Sequence, residues 1–245
     1  MTASRTLATA ARVLHQIRHD HRTVALMLAV PILLMTLLKY VWIDSPELFN
    51  SAGTSLLGIF PFLVMFVVTS VATLRERQTG TLERLLAMPI GKGDLLVGYL
   101  LAFGLMALIQ SVLAVGVSLW LLGLQVAGST WSLTLVAVLV ALLGTACGLA
   151  LSAFAQTEFQ AVQFMPAFVL PQFLLCGLLA PRDQMVTVLS AISDVLPLSY
   201  AVDATTDIAT HAQLDSGTLT SMAVVAAFIV GAVGLGAATL RRRTP

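Results

Sequence analysis

The chain has 245 residues, of which 58% are hydrophobic and only 10% charged, with a formal net charge of +1. A soluble domain carries roughly 25% charged residues, and the mean hydropathy here is +0.94. That excludes a water-solvated globule, no nucleic-acid partner is expected, and apolar runs of about 20 residues make membrane spans the natural unit.

Residues 1–22 carry Leu7, Ala10, Ala11, Val13, Leu14 and Ile17 on one side of a helical wheel and Arg5, Arg12, His15 and His19 on the other. That pattern predicts a helix lying in the membrane interface; the alternative is a basic flank that only sets topology. The first apolar run ends in "VWIDSP" with no small-residue cleavage site, so an uncleaved span is expected. Six spans follow from the apolar runs: Val24–Ile43, Ser55–Leu74, Leu95–Leu122, Trp131–Ala155, Phe159–Ala180 and Leu219–Leu240. The third and fourth are long enough to tilt or emerge. The period-two alternation of a membrane barrel is absent, so the predicted class is an all-α polytopic membrane protein with one transmembrane domain.

Eleven of the 13 Lys and Arg fall on one side of this topology: Arg5, Arg12, Arg18, Arg22, Arg75, Arg77, Arg84, Lys92 and Arg241–Arg243. Lys39 and Arg182 are left for the other. Basic loops stay inside, so both termini and the connector 75–94 are expected in the cytoplasm of a bacterial cell.

That connector, "RERQTGTLERLLAMPIGKGD", concentrates seven charged residues between two apolar runs. Gly80 interrupts it, and "TLERLLAMP" reads as two helical turns with Leu82, Leu85 and Leu86 on one face. Glu83 and Arg84 point elsewhere. Pro89 and "GKG" end the helix, and Asp94 caps the next span. Such a helix fits a groove in a soluble partner, or lies on headgroups or on its own bundle.

The fifth and second spans hold Phe60, Phe62, Phe66, Phe159, Phe164, Phe168 and Phe173, with Gln160, Gln163 and Gln172 beside Pro166 and Pro171. Amides are costly against lipid unless paired or wetted. An aromatic and amide surface suits an amphiphilic cargo; ordinary helix packing is the competing reading. Small residues at Gly144, Gly148 and Ser152, and at Ala223, Ala227 and Gly231, permit close helix contact. Residues 181–217 include "VTVLSAIS", too short to span and expected to be re-entrant. Cys147 and Cys176 are expected to be apolar fillers, with no disulfide and no metal site.

No GxxxxGK[ST], GxGxxG or HExxH occurs, so no nucleotide hydrolysis by a phosphate loop is expected of this chain. No Asp or Glu sits mid-span, which argues against ion-coupled transport. No catalytic residue is assigned; a unit built from Ser199, Asp203 or His211 lacks the spacing.

"ERQTGTLERLLAMPI" resembles the first cytoplasmic loop of the ABC-2 type permeases, the membrane subunits of ATP-binding-cassette exporters, with the pattern E-x-x-x-G-T-x-E-x-x-x-x-x-P. Glu76, Gly80, Thr81, Glu83 and Pro89 match it. The stretch from "QFMPAFVLPQF" to "LPLSYAVDA" also resembles the family, through Pro166, Gly177, Pro181, Pro197, Leu198 and Tyr200. Many members have a serine where this chain has Cys176, so no role of that serine carries over.

The resemblance implies six spans, an interfacial helix (1–22), spans one and two (24–74), a coupling loop (75–94), spans three to five (95–180), an external re-entrant hairpin (181–217), a last span (219–240) and a cytoplasmic tail (241–245). It implies docking of an ATPase subunit on Glu76, Gly80, Thr81, Leu82, Glu83, Arg84, Leu85, Leu86 and Pro89. Two ATPase copies, which would hold ATP and Mg, and a second permease, identical or homologous, complete the implied complex. The cargo path is expected along Phe60, Phe62, Phe66, Gln160, Gln163, Phe164, Phe168, Gln172 and Phe173. Efflux of a drug- or antibiotic-like amphiphile is the leading expectation. Lipid or polysaccharide export, or a non-transporting anchor for a cytoplasmic ATPase, are the alternatives.

Overall fold

The computed structural model describes residues 2–81, 84–85, 91–213 and 215–239. Among these, all regular structure is helical: α1 (Ala3–His19), α2 (His21–Val41), α3 (Pro46–Gln78), α4 (Lys92–Trp120), α5 (Thr130–Ser152), α6 (Glu158–Leu175), α7 (Thr187–Ser193), α8 (Pro197–Thr210) and α9 (Ser216–Thr239), with a 3-10 turn at Arg182–Gln184. Five helices, α2, α3, α4, α5 and α9, are long and apolar enough to cross a membrane.

The expected second span is much longer than its apolar run. With Pro46 supplying a preset φ in the first turn, α3 continues through Gly53, Gly58 and Pro61 for 33 residues. At about 1.5 Å per residue it exceeds the roughly 30 Å hydrocarbon layer. The expected fifth span is shorter: α6 has 18 residues, about 27 Å of helix, and its glutamines and prolines keep it below the apolarity of the other five. It stops at Leu175 rather than Ala180 because Gly177 adopts φ 92°, the left-handed turn that ends helices and that a Cβ would strain.

Hydrogen bonds define two ends. At the connector end, α3 finishes and α4 begins, and α1 lies across both. At the far end, the α4–α5 turn meets α3 and α8: Gln125 N donates to Asn50 Oδ1 at 3.0 Å, and Gly128 N to Ile208 O at 2.9 Å. A Cβ on Gly128 would lie 2.7 Å from Ile208 O, so the approach needs glycine. Lys39 places its ammonium 4.9 Å from the centre of the Phe49 ring.

The segment after α6 folds back as α7 and α8, as its short apolar run suggested. Ser193 Oγ donates to Leu175 O at 2.7 Å, and Arg182 pairs with Asp194 and Asp203. The tip, Val195–Pro197, lines one hollow together with Cys147 and Leu151 of α5. Pro197 opens α8 at its first turn, where its missing N–H costs nothing.

The core centres on α5. Gly144 and Gly148 face α3 within the chain: a Cβ on Gly144 would collide with Phe62 O, and one on Gly148 would lie 2.5 Å from Phe66 O. Cys147 and Cys176 are both free and buried. Helix α1 docks through Thr6, Thr9, Ala10, Val13 and Ile17, while Leu7 and Ala11 of its expected apolar face remain exposed. The apolar stripe is thus divided between the bundle and its surroundings. Gly98 permits the docking, since a Cβ there would lie 2.7 Å from Thr9 Cβ.

Gly148→Ala should force α3 and α5 apart and lower stability by about 1–3 kcal/mol, the usual cost of overpacking. Gly234→Ala, with open space around Gly234, should change it by no more than about 0.5 kcal/mol. Thermal unfolding of both variants in one detergent checks the difference.

Candidate functional site

The last two turns of α3 carry alternating charges, Arg75, Glu76 and Arg77, and helical geometry sends each in a different direction. Glu76 turns inward, where only 9% of the residue is exposed. Arg12 of α1 meets it with a two-pronged contact, Nη1 to Oε1 at 3.0 Å and Nη2 to Oε2 at 3.1 Å. Tyr99 of α4 donates its hydroxyl to the same carboxylate and accepts from Arg12 Nη2 at 3.0 Å. The guanidinium carbon also sits 5.7 Å from the Tyr99 ring centre. A carboxylate this buried needs such pairing, because an uncompensated buried charge is strongly unfavourable.

The other side of α3 is held to the α5–α6 turn. Arg75 donates to both oxygens of Glu158, Nε at 2.7 Å and Nη2 at 3.0 Å. Arg77 Nη1 donates to Ser152 O at 2.7 Å, and Gln78 Nε2 to Gln156 O at 2.8 Å. A third fastening joins the start of α4 to the N-terminus: Asp94 accepts from Thr2 N at 3.0 Å, Thr6 Oγ1 at 3.3 Å and Gly91 N at 3.2 Å. The stalk of the connector is therefore locked to α1, α4 and the α5–α6 turn together.

Between α1 and α2, the Thr23 hydroxyl at 2.6 Å and its backbone N–H at 3.1 Å hold Asp20 below the ordinary carboxylate value. Asp20 and Arg75 are among the residues lining a hollow of about 360 Å³ beside the clamp.

Of the expected docking residues, Gly80 has φ 70°, and Thr81, Arg84 and Leu85 are helical, with Arg84 exposed. Leu85 is buried at 8% exposure and joins Val13, Ile17, Leu95 and Tyr99 in one cluster. Leu85 thus packs on the chain's own bundle and Glu76 on Arg12, the arrangement the sequence left open as the alternative to an outward-facing helix. Leu82, Glu83, Leu86 and Pro89 lie outside the described residues, as do Arg241–Arg243.

The expected cargo residues are distributed rather than gathered on one surface. Phe62 and Phe66 are fully buried, and Phe66 stacks on Phe168 with centroids 6.0 Å apart, tying α3 to α6. Phe60 and Phe173 are partly buried against the main core, and Phe164 against Leu74 and Ala161. Gln160 Oε1 accepts from Gln156 N at 2.8 Å, so this amide serves the α5–α6 turn. Gln163 alone sits on an open face of α6, with Pro166, Ala167, Leu170 and Leu174. Gln172 is buried, its Nε2 donating to Phe168 O at 3.1 Å.

The Arg12–Glu76–Tyr99 clamp was not found from the sequence, although a carboxylate closing a span and a basic interfacial helix were its visible signals. Comparison with known proteins places these features in a lineage. Residues 5–209 match the model of the ABC-2 type transporter family. The chain is 26% identical over 171 residues to the probable multidrug ABC transporter permease YbhR of Escherichia coli K12, covering 70% of this chain and 44% of that protein. It is 30% identical over 162 residues to YbhS of the same strain, likewise a probable multidrug permease, covering 63% and 43%. It is 24% identical over 193 residues to the linearmycin resistance permease protein LnrN of Bacillus subtilis, covering 78% and 49%. The chain thus spans less than half the length of these curated relatives. With the family model matching most of its residues, the chain belongs to the ABC-2 type transporter family.

Proposed function

We propose that this chain is the membrane subunit of an ATP-driven exporter, paired with a second permease and two copies of a separate ATPase that holds ATP and Mg. The cargo is an amphiphilic, drug- or antibiotic-like compound, a reading supported by what the relatives are named for. The connector end faces the cytoplasm, as the concentration of Lys and Arg there favours.

One observation carries this reading: the connector grows from a stalk fastened on every side. A push on residues 79–91 reaches α1 through Arg12–Glu76, α4 through Tyr99, and the α5–α6 turn through Arg75–Glu158. Closure of two ATPases around ATP would thereby move several helices at once, provided ATP binding favours one packing over the other. Docking falls to the outward side of the loop, where Arg84 is exposed, with Leu85 as the inward anchor that sets the angle of the helix. The cargo path runs along the open face of α6, where Gln163 and the two prolines meet the second subunit.

Two variants separate docking from coupling. Arg84→Glu should weaken co-purification of the ATPase at least tenfold while leaving hydrogen exchange in α1 unchanged. Arg12→Ala should keep the ATPase bound but abolish ATP-dependent movement of compound in proteoliposomes, and should speed exchange in residues 3–19 at least tenfold. That follows from losing hydrogen bonds to a charged group, each worth about 1.5–3 kcal/mol. Arg12→Lys should restore little, because an ammonium lacks the planar fork. Normal transport in Arg12→Ala, with α1 exchange accelerated, would refute the mechanical role.

A further inference from the structure

Helix α1 carries two histidines that neither the clamp nor the buried face uses. His15 and His19 stand four residues apart and so share one face of the helix, the spacing at which two histidines take one metal ion. His15 lies roughly 160° around the helix from the buried Val13, and both histidines are exposed. Their rings approach with centres 4.3 Å apart and planes tilted by 41°.

One hydrogen bond sets the chemistry of the pair. His19 Nδ1 lies 2.8 Å from the His15 carbonyl oxygen; a carbonyl only accepts, so Nδ1 carries the proton. In the neutral ring Nε2 then holds the lone pair. Metal-bound histidines are oriented in the same way, by donating their second N–H to a carbonyl or carboxylate. The ring separation bears on the ion. A ring pointing at an ion has its centre about 3.2 Å away, a metal–nitrogen bond of about 2.0–2.1 Å plus the ring radius. Centres 4.3 Å apart then subtend about 84°, near the roughly 90° between neighbouring positions of a square-planar or octahedral shell. A tetrahedral shell, as zinc prefers, needs them about 5.2 Å apart.

We propose that His15 and His19 form a two-imidazole site for a divalent transition metal of the nickel or copper kind, held on the exposed side of α1. Calcium and magnesium are excluded, since they take oxygen ligands. No third His, Cys, Asp or Glu completes the set among the described residues, so the protein fills two positions and water the rest. The ion ties one turn of α1 to the next. Arg12, three residues before His15, has its charge taken up by Glu76, so metal binding stiffens the helix that carries the clamp. The site stands apart from the transport reading, since binding here requires neither nucleotide nor the ATPase.

The test titrates the full chain, purified in detergent without a histidine tag, with Cu²⁺ alone and follows the electron spin resonance of the ion. One Cu²⁺ per chain should show the nitrogen couplings of two imidazoles. His15→Ala and His19→Ala should each weaken binding at least tenfold and leave at most a one-imidazole pattern. His21→Ala and His211→Ala should leave the affinity within about twofold. Because His15 and His19 are exposed, metal-free thermal unfolding of their variants should match that of the unaltered chain, which separates lost binding from lost fold. Ni²⁺ should slow hydrogen exchange in residues 3–19 at least threefold in the unaltered chain and leave His19→Ala unchanged. A one-imidazole spectrum in the unaltered chain would overturn the site. So would binding that survives both alanine variants, or that falls as far in His21→Ala. Exchange in α1 that bound Ni²⁺ does not slow would overturn the stiffening.

Discussion

A single carboxylate governs the connector end. Glu76 closes a helix that outruns the bilayer, yet it points into the protein, where a negative charge is tolerated only in company. Arg12 and Tyr99 supply that company from two other helices. An interfacial helix, a long span and the start of the next span therefore share one ionic centre. Helix α1 has weak grounds for holding its place by burial alone, since its buried face includes Thr6 and Thr9. The guanidinium fork gives it a fixed position, and the glycine at residue 98 lets its backbone come close enough for the fork to reach.

A second constraint is steric. Without a hydrophobic force between helices in lipid, close packing decides which helices travel together. Gly144 and Gly148 bring α5 against the backbone of α3 at Phe62 and Phe66, and these phenylalanines fill the interior beyond. Helices α3 and α5 thus behave as one body. Helices α2 and α9 have few buried residues and present most of their surface outward, to lipid or to other subunits. The division gives the bundle a stiff axis with a looser periphery, and the clamp at Glu76 attaches the connector to the axis.

Much of the architecture could be read from the residues. The apolar runs located α2, α4, α5 and α9 closely, and the short "VTVLSAIS" run anticipated the hairpin, because hydrophobic length is a local property. The end of α6 was missed by five residues: Leu178, Leu179 and Ala180 are apolar enough to continue a span, but Gly177 turns the backbone first. Leu85 shows a different limit. An amphipathic helix declares an apolar face without declaring what covers it, and here Leu85 joins a buried cluster with Val13 and Tyr99 of two other helices. Glu76 illustrates the same limit, since a family motif marks the residue but the partner that neutralises it lies 64 positions away. The glutamines of α6 looked equivalent on a wheel; one caps a turn, one is open and one is buried, and only tertiary packing separates them.

These features bear on where energy enters the system. No Asp or Glu lies in the middle of any apolar run, and the buried carboxylate of Glu76 is already paired with Arg12. Among the described residues the ion pairs fall in two groups, Arg12–Glu76 and Arg75–Glu158 by the connector and Arg182 with Asp194 and Asp203 in the hairpin segment. A bundle so arranged changes its packing when something displaces one end relative to the other. The clamped stalk supplies a handle for such a displacement. The hairpin ion pairs hold the opposite segment together through one arginine shared by two aspartates. Under the proposed function, force applied at the connector would be transmitted along α3 and α5, which pack backbone to backbone at Gly144 and Gly148, and expressed in the helices packed more loosely against them.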